Sequence, residues 1–345
     1  MKFIAYTVKG IEDIAKDEIK EFFPAANIIE LESKAIIFDP KDDDFDRLSR
    51  FKTIDDLGIF VYEIVYTREL NHKSLAEEIA SINFVKYREL LGKFRSAKPK
   101  KFSLTVSLPG LKNLKSNPFK DLLATVIAAE KGWTYTEKDH TNFDIRVFLG
   151  DGKIYVSVRL TNESLHKREY KEFSKSGSLR PTIAAALVRL TTGMKHGKLV
   201  DNFCGSGTIL CEAYNLGNEI YGGDVDAGSV EFTKKNLKSL DFEELDNIKL
   251  GDAIKTTYPD NTFDYAISNL PWDKQIEVES FTGLYIDSLR EYKRILKDKF
   301  VMSLLVKKPE LMISLIGSVF ENVEVSKIQL SLVGQQPEVI TVRSK

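Results

Sequence analysis

The chain has 345 residues and a hydrophobic content of 43%, enough for two or more domains with proper cores, and its 50 basic and 51 acidic residues leave a net charge of −1. It holds no run of about 18 apolar residues, so no membrane-spanning helix is expected. The two cysteines, Cys204 and Cys211, are too few for a disulfide framework or a zinc site and are expected as small buried thiols in a reducing compartment.

In chain order, Phe3–Thr7 alternates as a strand. Glu12 and Asp13 follow too early for a signal peptide, so a cytoplasmic protein is expected. Ile11, Ile14, Ala15, Ile19 and Phe22 recur at helical spacing with Pro24 just beyond, which predicts a helix over 10–22. Ile28–Leu31 and Ala35–Phe38 read as short strands. Asp42-Asp43-Asp44 opens another predicted helix, where acids suit the N-terminal dipole, and Phe60–Thr67 is a strand. This α+β pattern over 1–68 suits a small ferredoxin-like unit.

Residues 69–163 read as a second α/β module. Helical stretches from Lys73 lead into a basic segment, Lys86 to Lys120, with ten Lys or Arg residues and one acid, Glu89. Lys98-Pro99-Lys100-Lys101 is its densest part, and Lys112 and Lys115 continue it. Local clustering matters more than net charge for a polyanionic partner, so phosphate binding is set beside the plainer reading of a solvated basic face. A strand at Phe102–Ser107 and a helix at Pro118–Lys131, stopped by Gly132, come next. Asp144–Leu149 and Lys153–Arg159 are joined by Gly150-Asp151-Gly152, a hairpin signal.

Residues 164–180 form a charged connector with Lys167, Arg168, Lys171, Lys175 and Arg180, and with Ser176-Gly177-Ser178 before Pro181. From Pro181 to residue 345 the pattern is α/β. Pro181 suits the first turn of a helix ending at Gly193. Strands at Lys198–Asp201, Glu219–Gly222, Ile248–Leu250, Phe263–Ser268 and Phe300–Leu305 alternate with helices ending at Leu216, Leu240 and Leu296. Two late strands, Val323–Leu332 and Val339–Arg343, are predicted to pair as a hairpin. A mostly parallel sheet closed by an antiparallel pair is the class I methyltransferase arrangement, a Rossmann-like variant.

The stretch that organises the chain is Leu199-Val200-Asp201-Asn202-Phe203-Cys204-Gly205-Ser206-Gly207-Thr208. It reads as a buried strand, a tight glycine turn and a helix start, with Asp224 after the next strand. Glycines let backbone amides approach a ligand closely, and the helix N-terminus favours negative charge. Leu210 stands where a dinucleotide fold has its third glycine, and no Lys follows the glycines as in a P-loop, so neither reading holds. His72, His140, His166 and His196 show no metal spacing and no nucleophile–base set, and no metal is assigned.

The turn closely resembles the D-P-F-C-G-S-G-T form of RNA guanine-N2 methyltransferases, with Asn202 in place of proline. Asn269-Leu270-Pro271-Trp272 resembles the [N/D]-P-P-[Y/F/W] motif of amino-methyltransferases, with Leu270 replacing the first proline. Val106 to Leu160, Leu165-His166-Lys167-Arg168-Glu169-Tyr170 and the early Lys9-Gly10-Ile11-Glu12-Asp13-Ile14 resemble a THUMP domain, its connector and the ferredoxin-like unit before it. The chain thus resembles the THUMP-domain tRNA (guanine-N2) methyltransferases, most of all the group acting at the sixth tRNA position in the acceptor stem.

That resemblance implies S-adenosylmethionine as methyl donor and tRNA as partner, with no membrane and no obligate protein partner. It implies that Asp201 orients the turn or holds the methionine ammonium, that Gly205 and Gly207 offer amides, and that Phe203 and Thr208 sit in the same turn against the cofactor. Asp224 takes the ribose hydroxyls, Val225 packs on adenine, and Asp252 with the Ala253 amide reads the adenine edge. Ser178 and Leu179 cover the methionine end. An exocyclic amine is a poor nucleophile, because its lone pair is delocalised into the base. Asn269 and the Leu270 or Pro271 carbonyl accept its hydrogens, and Trp272 offers a stacking face. Lys98, Lys100, Lys101, Lys112, Lys115, Lys167 and Arg168 are the expected RNA contacts. The alternatives are action at the tenth tRNA position or on rRNA, adenine-N6 methylation of DNA, and a non-catalytic RNA-binding protein on a vestigial methyltransferase fold.

Overall fold

A computed structural model describes residues 1–345 except 33, 68–70, 96–99, 109–114, 138–141, 151, 272–277 and 333. The chain divides into two compact units: Met1–Thr7 with Ala15–Leu165, and Val8–Ile14 with His166–Lys345. Among the described residues no helix is long and apolar enough to cross a membrane.

The first unit is built on β1 (Phe3–Tyr6), α1 (Glu12–Phe22), β2 (Asn27–Glu32), β3 (Ala35–Asp39) and β4 (Asp56–Val65). It continues with α2 (His72–Ser81), α3 (Phe84–Leu91), β5 (Lys101–Ser107), α4 (Ser116–Lys131), β6 (Thr134–Tyr135), β7 (Phe143–Gly150) and β8 (Lys153–Arg159). The predicted helix after Asp42 is a short 3₁₀ turn, Phe45–Arg50. The strands form one eight-stranded sheet in the order β2-β3-β1-β4-β8-β7-β5-β6. β4 pairs antiparallel with β8, Ile59 opposite Val158, so strands from 1–68 and 69–163 share one sheet. Helix α4 buries Phe119, Leu123, Ala124 and Ile127 along one face, and Gly132 closes it in the left-handed conformation at φ 64°.

The second unit starts with α5 (Pro181–Thr192), which has Pro181 in its first turn and nearly every side chain buried. Then come β9 (Lys198–Asp201), α6 (Thr208–Asn215), β10 (Glu219–Asp224), α7 (Ala227–Lys238) and β11 (Ile248–Leu250). β12 (Phe263–Asn269), α8 (Val278–Ile295), β13 (Leu296–Val306), α9 (Pro309–Val319), β14 (Val323–Gln329) and β15 (Glu338–Ser344) complete it. The sheet order is β11-β10-β9-β12-β13-β15-β14. The first five strands in that order run parallel, and β15 pairs antiparallel with both β13 and β14. This is the class I methyltransferase sheet expected from the sequence, with helix α9 added to the predicted elements of this unit.

Parallel strands place all their C-terminal ends on one edge of the sheet. Strand order reverses between β9 and β12, which opens a crevice there. The core on one side of the sheet gathers Leu199, Leu210, Ile220 and Ile267, and the other gathers Val200, Ala266, Leu289 and Leu304. Alternation along β9 and β12 therefore buries both sheet faces and fixes which residues reach the crevice. Cys204 and Cys211 are buried free thiols.

Candidate active site

The crevice holds a cavity of about 610 Å³. β9 delivers Asp201 to it, and the turn that follows delivers Phe203, Gly205 and Thr208. β10 ends at Asp224 with Val225 next, and the loop after β11 brings Asp252 and Ala253. β12 ends at Asn269, followed by Pro271, while Ser178 and Leu179 close the far wall. All of these line the cavity.

Gly207 does not line it. It caps α6 at φ 78°, and a Cβ there would stand 2.7 Å from the Thr233 methyl, so this glycine serves the packing of the turn against α7. The Gly205 amide is also not open. It donates to Asp224 Oδ2 at 2.9 Å, while the Asp226 amide donates to Oδ1 at 2.9 Å. These two bonds fix the carboxylate plane at the end of β10. Val225 is 77% exposed, an apolar side chain at the cavity mouth.

Asp201 is 1% exposed. Burial pushes its carboxyl up to about 7, and the Asp224 charge adds to that, against hydrogen bonds from Ser268 Oγ at 2.6 Å and the Phe203 amide at 3.0 Å. Ser268 Oγ also lies 2.7 Å from Tyr292 Oη. Ser268 and Tyr292 thus orient Asp201 from behind. Sequence reasoning passed over both, although Ser268 directly precedes Asn269.

Among the described residues Asn269 Oδ1 is buried with no hydrogen-bond partner, and so are both amide atoms of Asn202, which is 3% exposed. Buried polar atoms are nearly always paired, so unpaired ones lining a cavity mark the places where a ligand completes the bonding. Pro271 is held from below, as Tyr285 Oη donates to its carbonyl at 2.7 Å. Trp272 lies outside the described residues.

The connector is tied to this unit by its own side chains. Lys175 pairs with Asp226 and donates to Ser229 Oγ at 3.2 Å. Asn236 donates to the Phe173 carbonyl at 2.8 Å and accepts from the Phe173 amide at 3.1 Å. Ser178 Oγ lies 2.9 Å from Ser206 Oγ and 3.3 Å from Thr208 Oγ1. Arg168, expected at RNA, is instead turned inward. Its Nε donates at 2.9 Å to Glu212, which is fully buried and also accepts from Tyr170 Oη at 2.6 Å. Removing a buried carboxylate's partner is costly, which accounts for a guanidinium committed there. Lys167, Lys100, Lys101 and Lys115 are exposed, and Lys98 and Lys112 lie outside the described residues.

Three acids at strand ends, a raised carboxyl and an unpaired amide oxygen suit a ligand that brings positive charge, hydroxyls and amino hydrogens. Residues 168–336 match the model of the UPF0020 family (RMKL-like, methyltransferase domain). The match covers just under half of the chain and spans most of the second unit. A tRNA (guanine(10)-N2)-dimethyltransferase of Pyrococcus abyssi is 30% identical over 45% of this chain and 46% of its own length. The tRNA (guanine(6)-N(2))-methyltransferase THUMP3 of Mus musculus is 34% identical over 39% of this chain and 26% of its own. The matches therefore span less than half the length of these relatives. The crystal structure of TrmN from Thermus thermophilus shares the fold at a TM-score of 0.79 and 20% identity, covering 100% of this chain and 99% of that one.

Proposed function

We propose that this protein methylates the exocyclic N2 of a guanosine in tRNA, with S-adenosylmethionine as donor. The observation that carries the reading is Asn269 Oδ1, buried and unpaired among the described residues, in a residue at the end of β12 that lines the same cavity as Asp201, Asp224 and Asp252. A methyl donor bound here would supply the sulfonium-linked methyl group. Asp201 faces the positive charge, Asp224 accepts from the ribose hydroxyls, and Asp252 with the Ala253 amide meets the adenine edge. Ser178 and Leu179 cover the methionine end.

Asn269 then accepts a hydrogen of the guanine amine, and the Leu270 or Pro271 carbonyl accepts the other. Both bonds strengthen as the nitrogen leaves conjugation and gains positive charge, so the site favours the transition state over the planar ground state. Trp272 offers a face for the unstacked base. The methylated exocyclic nitrogen, still bonded to the ring and carrying an extra proton, is a strong acid, so that proton passes to water and the nitrogen regains conjugation with the base.

The RNA reading rests on the tRNA (guanine-N2) methyltransferases to which this chain is similar and on the exposed Lys100, Lys101 and Lys115. We assign the acceptor-stem guanosine at position 6 as target and residues 69–163 as a THUMP RNA-binding domain; action at position 10 is the alternative. Incubation with labelled cofactor and total tRNA, followed by nucleoside analysis and site mapping, tests this. N2-methylguanosine at position 6 is expected; methylated adenosine or an unlabelled tRNA pool would overturn it.

A further inference from the structure

A second cavity, of about 370 Å³, borders the first and shares Asn202, Asp252 and Ala253 with it. Three lysines line it: Lys234 from α7, Lys249 from β11 and Lys255 from the following loop. None of them is ion-paired among the described residues. Lys249 Nζ donates to Thr257 Oγ1 at 3.4 Å and lies 5.1 Å from the centre of the Tyr258 ring, which holds its ammonium at the cavity. Asn202, 3% exposed and with both buried side-chain amide atoms unpaired among the described residues, lines both cavities.

We infer that this second cavity binds one phosphodiester of the RNA strand that carries the target nucleotide. The inference rests on the proposed RNA substrate. Two carboxylates, Asp246 and Asp252, also border the cavity, so the lysines exceed the acids by one. That balance matches a singly charged phosphodiester better than a free, doubly charged phosphate. Nδ2 of Asn202 donates to the phosphate from the wall common to both cavities. Asn202 thereby couples the seating of the strand to the cofactor beside it. It stands where the resembling turn has proline, which offers no side-chain donor.

The test is the salt dependence of binding of one tRNA transcript to the full chain. Neutralising Lys234, Lys249 and Lys255 together to Gln is expected to weaken binding about tenfold at moderate salt and to reduce the salt slope by about one. Cofactor affinity by calorimetry and the rate at saturating tRNA should stay as in the parent. Lys238→Gln on α7, outside the cavity, should leave affinity and slope almost unchanged. Asn202→Asp, which replaces the donor with a carboxylate of equal size, should weaken tRNA binding more than any single lysine change. Parent-like affinity and slope in the triple variant, with the parent still methylating tRNA, would overturn this inference alone. A parent protein that neither binds nor methylates tRNA would overturn the functional reading and this inference with it.

Discussion

Replacing Asn269 with alanine separates catalysis from folding and binding. The Oδ1 atom is buried and unpaired among the described residues. An unmet buried acceptor costs about 1–3 kcal/mol, so its removal relieves a penalty while deleting a few packing contacts. Stability is therefore expected to change by less than about 1 kcal/mol. Cofactor affinity should change little, because Asp201, Asp224 and Asp252 remain. The transition state loses an acceptor aimed at developing positive charge. Loss of one such preorganised group lowers the rate about 10²–10³-fold, or about 2.7–4 kcal/mol. Single-turnover methyl transfer on one tRNA transcript, with calorimetric cofactor titration and thermal unfolding of the same preparation, reads all three quantities. A variant with near-parental turnover would refute the amine-acceptor role. A variant that loses cofactor affinity and rate together would show that Asn269 acts in the ground state instead.

Asp224→Ala should weaken cofactor binding by about 1–3 kcal/mol in calorimetry, with part of the loss arising from the freed Gly205 amide. The buried Asp201 carboxyl titrates at about 7, above its ordinary 3.8, so a positively charged cofactor should bind better as pH rises. Affinity should climb roughly tenfold between about pH 6 and about pH 8 as the carboxylate forms, and Asp201→Asn should flatten the profile. For the same group the sign for folding is opposite: its contribution to stability is full below pH 3.8 and is lost as pH rises through about 7, which urea titrations across that range would detect. Charge reversal at Lys100, Lys101 and Lys115 should weaken tRNA binding and flatten its salt dependence without touching cofactor affinity; unchanged tRNA binding would make that face merely solvated.

Much of the catalytic unit was legible because its signals are local. Apolar runs bounded by glycines marked β9 and β10, and a run between Asn261 and Pro271 marked β12; the residues at their ends were then fixed on one sheet edge by the parallel order. The late hairpin, β14 and β15, showed in two separate apolar stretches. What escaped depends on partners far along the chain. Arg168 looked like any surface cation, because its partner Glu212 is 44 positions away and is itself buried only after α6 packs. The pairing of β4 with β8 joins residues such as Ile59 and Val158, 99 positions apart, and no local period reports it. Helix α9 carried a start signal, Pro309 followed by Glu310, but its apolar run Leu311-Met312-Ile313 does not separate helix from strand by period alone. Gly207 was assigned to the ligand because glycine turns serve both ligand approach and packing, and here Thr233 decides for packing.

The central claim is that the accepted methyl group lands on a guanine N2 amine held by Asn269. Inosine has the same ring edge without that amine, so a tRNA with inosine in place of the target guanosine tests it most directly. Single-turnover labelling of matched transcripts should give methylated product with guanosine and none with inosine, at equal tRNA affinity. Methyl transfer to the inosine transcript would contradict the account.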